Sequence, residues 1–308
     1  MSRLTADAKG VFIIAATPFS ENGALDAASI DRMVDFYVGT GVDGITVLGM
    51  MGEAPKLTAE ESKQVVTRVI ARAGGRPVVV GVSAPGLAAM QDLTKTAMDL
   101  GAAGVMVAPP GNLKTDDQIV SYYELVGETL GADVPLVVQD FPLGTGVAFS
   151  NSALLRIFAG AKSAVMLKHE DWPGLAKISA LRKAEHSGAP RVSILTGNGG
   201  LFLPEELARG ADGAMTGFAY PEMMVEICRR HATGEIDRAH DLFDAYLPLA
   251  RYEQQPGLGL AVRKYVLAKR GAIASSALRR PGQRLSPADI ADVERLLARQ
   301  QRRLRELG

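Results

Sequence analysis

The chain has 308 residues, 47% hydrophobic and 22% charged, with 34 basic and 34 acidic residues and so no formal net charge. That length suits two modest domains or one large α/β barrel with an appendage, and the charge balance argues against nucleic acid or an anionic membrane as a main partner. The single cysteine, Cys228, excludes an internal disulfide and a thiolate metal site. No uncharged stretch reaches the roughly 18 residues that span a bilayer, so the expectation is a soluble, unprocessed, cytoplasmic protein.

In chain order, apolar runs rich in Val, Ile and Ala recur at Val11–Ala16, Gly44–Leu48, Val78–Val82, Gly104–Ala108, Pro135–Val138, Ala164–Leu167, Val192–Leu195 and Gly213–Met215. Continuous apolar runs suit strands covered on both faces, as in parallel sheets. The segments between them read as helices. One opens with the capping box Thr58-Ala59-Glu60-Glu61 and another with Ser286-Pro287. Gly41-Val42-Asp43-Gly44, Gly101-Ala102-Ala103-Gly104 and Gly210-Ala211-Asp212-Gly213 each end a helix and start a strand, about two and four βα units apart. The pattern predicts a closed (β/α)8 TIM barrel, with a doubly wound open sheet as the alternative. The barrel strands fall in residues 1–220. Residues 221–308 carry no strand signal and should supply the eighth barrel helix and a helical C-terminal extension.

In such barrels the C-terminal strand ends hold the active site. The sixth run has a lysine at each end, and only Lys168 lies at the catalytic mouth, whereas Lys162 should be solvated. A lysine entering a confined pocket is partly desolvated, which favours the neutral, nucleophilic amine able to form a Schiff base. A strand-end lysine paired with Glu170 is the plainer alternative. After the second strand, Gly49-Met50-Met51-Gly52-Glu53 is a glycine-flanked turn whose backbone N–H groups could hold a carboxylate. Thr196-Gly197-Asn198-Gly199-Gly200 is a similar turn after the seventh strand. Of the four histidines, only His169 lies at a strand end, and His169-Glu170-Asp171 lacks the HxH or HExxH spacing of a metal site. No GxSxG elbow, Walker A loop or GxGxxG fingerprint is present.

Ala16-Thr17-Pro18-Phe19 after the first strand, the Gly-x-x-Gly-Glu turn at Gly49 to Glu53, Pro142 after the fifth strand and Lys168 after the sixth resemble the dihydrodipicolinate synthase and N-acetylneuraminate lyase family. The resemblance spans roughly residues 8 to 300. It implies a class I aldolase, lyase or dehydratase on a (β/α)8 barrel, with Lys168 as the Schiff-base residue. It also implies no metal or other cofactor, and assembly as a homotetramer or dimer. Thr17, Met50, Met51, Gly197 and Asn198 then fall at substrate-binding positions.

The departures from the family pattern are specific. The two hydroxyl residues usual inside the second-strand turn are Met50 and Met51 here, and the family's Tyr-Asn-x-Pro is Gln139-Asp140-Phe141-Pro142. Gln139 can donate a hydrogen bond but cannot exchange a proton. Asp140, His169, Glu170 and Tyr220 are the candidates to replace the tyrosine as proton shuttle, and Asp140 joins Lys168 and Gln139 as an expected catalytic residue. Gly144 stands where the synthases carry an arginine for a second carboxylate, and Pro110-Gly111 replaces a tyrosine pair of the fourth-strand loop. Methionines and Phe141 and Phe218 suggest an apolar pocket. The expected activity is cleavage or dehydration of a 2-oxo acid such as pyruvate or a longer keto acid, and not dihydrodipicolinate synthesis. A non-catalytic keto-acid-binding barrel and a metal-dependent barrel lyase using Glu170 and Asp171 are the rival readings.

Overall fold

A computed structural model describes residues 3–172 and 174–308. Among the described residues, eight parallel strands pair in sequence order and close on themselves, β1 returning to β8. They are β1 (Gly10–Ile14), β2 (Gly44–Val47), β3 (Val78–Gly81), β4 (Gly104–Val107), β5 (Leu136–Asp140), β6 (Ala164–His169), β7 (Ser193–Thr196) and β8 (Gly213–Ala214). This is the expected TIM barrel. Each predicted run carries a strand, but β5 and β6 extend two residues further, placing Gln139, Asp140, Lys168 and His169 inside the sheet and not beyond it.

The barrel helices are α1 (Ala27–Gly39), α2 (Ala59–Arg72), α3 (Leu87–Asp99), α4 (Asp116–Leu130), α6 (Asn151–Gly160), α7 (Leu175–His186), α8 (Leu203–Ala208) and α9 (Pro221–Ala232), with α5 (Pro142–Thr145) a single turn after β5. The extension comprises α10 (Ile236–Glu253), α11 (Gly259–Lys269) and α12 (Pro287–Glu306). Both predicted caps are present: Thr58 and Glu61 form a reciprocal capping box on α2, and Ser286 caps α12 with Pro287 in its first turn.

Strand alternation divides the core into two shells. Phe12, Ile14, Val79, Met106, Val137, Met166, Leu195 and Met215 fill the barrel interior, while Val11, Ile13, Ile45, Val47, Val138, Leu167 and Ile194 face the helices. The glycine repeat has a steric cause. Gly41, Gly101 and Gly210 hold left-handed φ values of 82°, 96° and 95°. The second glycine of each repeat meets a neighbouring strand or the residue leading into one, so that a Cβ on Gly44, Gly104 or Gly213 would lie 2.4, 2.7 or 2.0 Å from Phe12, Pro135 or Gly10.

Candidate active site

The site grows from an irregularity in β6. Leu136 pairs with Ala164 but Val137 pairs with Met166, so Val165 is an extra residue on β6. Ala164 faces the helices, Val165 and Met166 both contact the interior shell, and Leu167 faces outward again. A bulge of this kind resets the alternation downstream. Lys168 is therefore brought inward, opposite Gln139, and His169 is sent outward, opposite Asp140.

Lys168 is 5% exposed, at the top of the interior above Met166. Its Nζ lies 3.1 Å from Glu170 Oε2, and Gln139 Nε2 donates to that same oxygen at 2.7 Å. Glu170 is buried too. Its amide donates to the Asp140 carbonyl at 2.8 Å, and its carbonyl accepts from Asn198 Nδ2 at 3.2 Å. Gly197 leaves room for it, since a Cβ there would lie 2.2 Å from Glu170 Cγ. Asn198, at a left-handed φ of 51°, and Gly197, whose amide donates to the His169 carbonyl at 2.8 Å, thus form the seat of Glu170. The turn after β7 reads in the sequence as a ligand cradle, whereas its observed contacts support a carboxylate of the protein itself.

Of the four residues considered as proton shuttle, only Glu170 touches the lysine. The expectation for Asp140 as a catalytic residue is corrected by strand parity. Its fully buried carboxylate faces the helix layer, where Lys177 Nζ of α7 sits 2.7 Å from Oδ2 and His169 Nδ1 3.6 Å away. Lys177 also reaches Asp171 at 2.8 Å. The other nitrogen of His169 lies 3.0 Å from the Gly174 carbonyl oxygen. Tyr220 packs beneath the extension, 4.1 Å from the Arg270 guanidinium and against the rings of Phe218 and Tyr246. Among the described residues, no group of three or more His, Cys, Asp or Glu side chains is arranged to hold a metal ion.

The second-strand turn completes the mouth. Met50–Gly52 forms one 3-10 turn, closed by the Gly52 amide on Gly49 and the Glu53 amide on Met50, each at 3.0 Å. Leu48 and Glu53 bracket it in the left-handed region, at φ 56° and 54°, an uncommon backbone for side-chain-bearing residues. Thr17 Oγ1 donates to the Gly52 carbonyl at 2.5 Å, so its hydroxyl braces the turn. Met51 packs against the interior shell and Met50 is 53% exposed. Sequence reasoning passed over Thr46. Its buried hydroxyl, on a strand position between the outward-facing Ile45 and Val47, has no hydrogen-bond partner among the described residues. A lone threonine inside an apolar strand was the available signal.

The pattern of the dihydrodipicolinate synthetase family matches residues 7–300. L-2-keto-3-deoxyarabonate dehydratase of Azospirillum brasilense is 32% identical over 292 residues, 92% of each chain. A 4-hydroxy-tetrahydrodipicolinate synthase of Laribacter hongkongensis (strain HLHK9) is 30% identical over 292 residues, 94% of this chain and 97% of that one. A crystal structure described as dihydrodipicolinate synthase from Rhodopseudomonas palustris superposes with a TM-score of 0.96 at 53% identity, covering 97% of this chain and all of the other. A match that runs nearly end to end, on a closed eight-stranded barrel with a buried lysine on its sixth strand, places the chain in the dihydrodipicolinate synthetase family.

Proposed function

We propose that this protein is a class I lyase that forms a Schiff base between Lys168 and a 2-oxo acid, with Glu170 moving the protons. The observation that carries this reading is the contact of Lys168 Nζ and Gln139 Nε2 with one oxygen of Glu170. The amine attacks the C2 carbonyl carbon, and the carbonyl oxygen leaves as water once protonated. Glu170, beside Nζ, delivers that proton. The resulting iminium draws electrons from C3. In a dehydration, Glu170 removes a C3 proton and the C4 hydroxyl leaves as water. In a cleavage, Glu170 takes the C4 hydroxyl proton, the C3–C4 bond breaks, and an aldehyde departs from an enamine that is then protonated at C3. Hydrolysis frees the lysine in either case. Gln139 holds the Glu170 carboxylate in place, a positioning task that needs a donor and not an acid.

The turn's own hydrogen bonds use the Gly52 and Glu53 amides, so the Met50 and Met51 amides are those offered to the substrate carboxylate. The loop after β5 is apolar where the synthases carry an arginine. A Cβ on Gly144 would lie 2.1 Å from the Phe141 ring, so Phe141 occupies the space an arginine at 144 would need, and Leu143 beside it is 71% exposed. These features favour a substrate without a second carboxylate over the substrates of dihydrodipicolinate synthesis. Dehydration of a 3-deoxy-2-oxo acid is the first reaction to assay, because the relative from Azospirillum brasilense bears the name of a dehydratase. A homo-oligomer, dimer or tetramer, belongs to the same proposal and is checked by light scattering.

The test is borohydride reduction with pyruvate and a panel of 2-oxo acids, read by intact mass and peptide mapping, beside turnover of 3-deoxy-2-oxo acids. An adduct on Lys168 with turnover supports the lyase. An adduct without turnover on any substrate leaves a keto-acid-binding protein, and no adduct with any keto acid overturns the reading.

A further inference from the structure

The extension α10–α12 does more than pack against the barrel. Consecutive residues of α11, Arg263 and Lys264, are both buried, at 1% and 0% exposure, and reach three different loops of the catalytic face. Lys264 Nζ lies 2.6 Å from Glu53 Oε1 in the loop after β2, donates to the Ala277 carbonyl at 3.0 Å, and sits 4.5 Å from the centre of the Phe19 ring in the loop after β1. Arg263 bonds Glu253 of α10 and the Gly217 carbonyl, each at 2.5 Å, while Glu253 accepts from the Ala219 amide at 3.1 Å in the loop after β8.

Glu53 is the last residue of the turn assigned to the substrate carboxylate. It is 2% exposed, has a left-handed backbone, and both of its carboxylate oxygens are taken by cations or amides. Oε1 meets Lys264. Oε2 meets Lys56 Nζ at 2.9 Å and the Arg279 amide, between α11 and α12, at 3.1 Å. Two partners from the extension and one from the turn's own segment thus fix its side chain. Burying a charge pair adds little net stability, because desolvation offsets the attraction, but it does fix geometry. A left-handed non-glycine backbone persists only where its surroundings over-determine it.

We propose that Lys264 is a positioning residue that, through Glu53, holds the Gly49–Glu53 turn in the shape that receives the substrate carboxylate. This rests on the Schiff-base reading above. The reacting groups lie on β5, β6 and the residue after β6, away from Lys264, so the clamp acts on recognition of the carboxylate and not on the reactivity of the lysine.

The experiment compares two carbonyl probes in adduct formation at Lys168, pyruvate and the carboxylate-free acetaldehyde, in wild type, Lys264→Met, Lys264→Arg and Glu53→Gln. For Lys264→Met and Glu53→Gln the pyruvate concentration at half-maximal trapping rises by about tenfold or more, while the acetaldehyde dependence stays at the wild-type value and Lys264→Arg recovers part of the loss. Circular dichroism checks folding. If Lys264→Met does not fold, Glu53→Gln, which keeps the size of the side chain but exchanges one acceptor oxygen for a donor NH2, decides the matter. An unchanged pyruvate dependence, or equal losses with both probes, overturns the inference while the Schiff-base reading stands. Absence of a wild-type adduct at Lys168 overturns both.

Discussion

Lys168 and Glu170 stand two positions apart, so alternation returns both side chains to the interior while His169 between them faces α7. This parity makes Glu170 the residue whose loss should separate binding from turnover. Glu170→Gln keeps the hydrogen-bonding shape but removes the proton carrier, and kcat should fall by about 10²- to 10⁴-fold, while borohydride still traps pyruvate on Lys168 at long incubation but more slowly, because imine formation uses the same proton. Gly197→Ala tests the seat of that carboxylate. A Cβ 2.2 Å from Glu170 Cγ must displace it, so turnover should fall with little change in melting temperature. Equal activity of the Ala variant would show that Glu170 does not need its observed position. The choice between Asp140 and Glu170 was half legible in the sequence: once Gln139 and Lys168 are taken as inward, residues 140 and 169 must face outward and 170 inward. The other half is hidden because the apolar runs end at Val138 and Leu167, which makes everything beyond them look equally close to the mouth.

Among the elements, the apolar runs, caps and glycine repeats were readable because each has a local physical cause. The bulge in β6 was not. Counting alternation from the outward Ala164 puts Lys168 on the helix side, and only the extra Val165 turns it inward. Pairing of β6 with β5 creates that offset, and nothing in Ala164-Val165-Met166 announces it. A second hidden element property concerns α8. Glu206 lies buried behind β7, and burial raises its carboxyl from the usual 4.5 to about 7, against the opposing pull of the Thr196 hydroxyl and His169. With the folded value above the unfolded one, this group favours the fold most at low pH. That contribution is lost as pH rises through 7. Glu206→Gln should therefore stabilise the protein at about pH 8, by at most roughly 3 kcal/mol, and do little at about pH 5. Thermal melts at the two pH values check it, and an equal shift at both would show that charge is not the cause.

At the scale of the whole molecule, the proposed Schiff base takes the iminium as its electron sink and so calls on no ion. Activity should survive exhaustive chelation, with turnover before and after dialysis against a chelator as the measurement. Loss restored by a divalent cation would revive the metal-dependent alternative. No helix among the described residues is long and apolar enough to cross a membrane. The barrel was legible from the eight apolar runs, whereas the pairing of Glu53 with Lys264, separated by 211 positions, leaves no local pattern to read. That separation also sets an order in time. During synthesis the lysine strand and its carboxylate emerge first, and β8 follows to close the barrel. The cation that clamps the carboxylate turn is made some fifty residues later, at translation rates of about 5–20 residues per second. A nascent chain halted between Gly213 and Lys264 contains Lys168 and Glu170 but not the lysine that pairs with Glu53, so that turn completes its ion pairs only after all eight strands have been made.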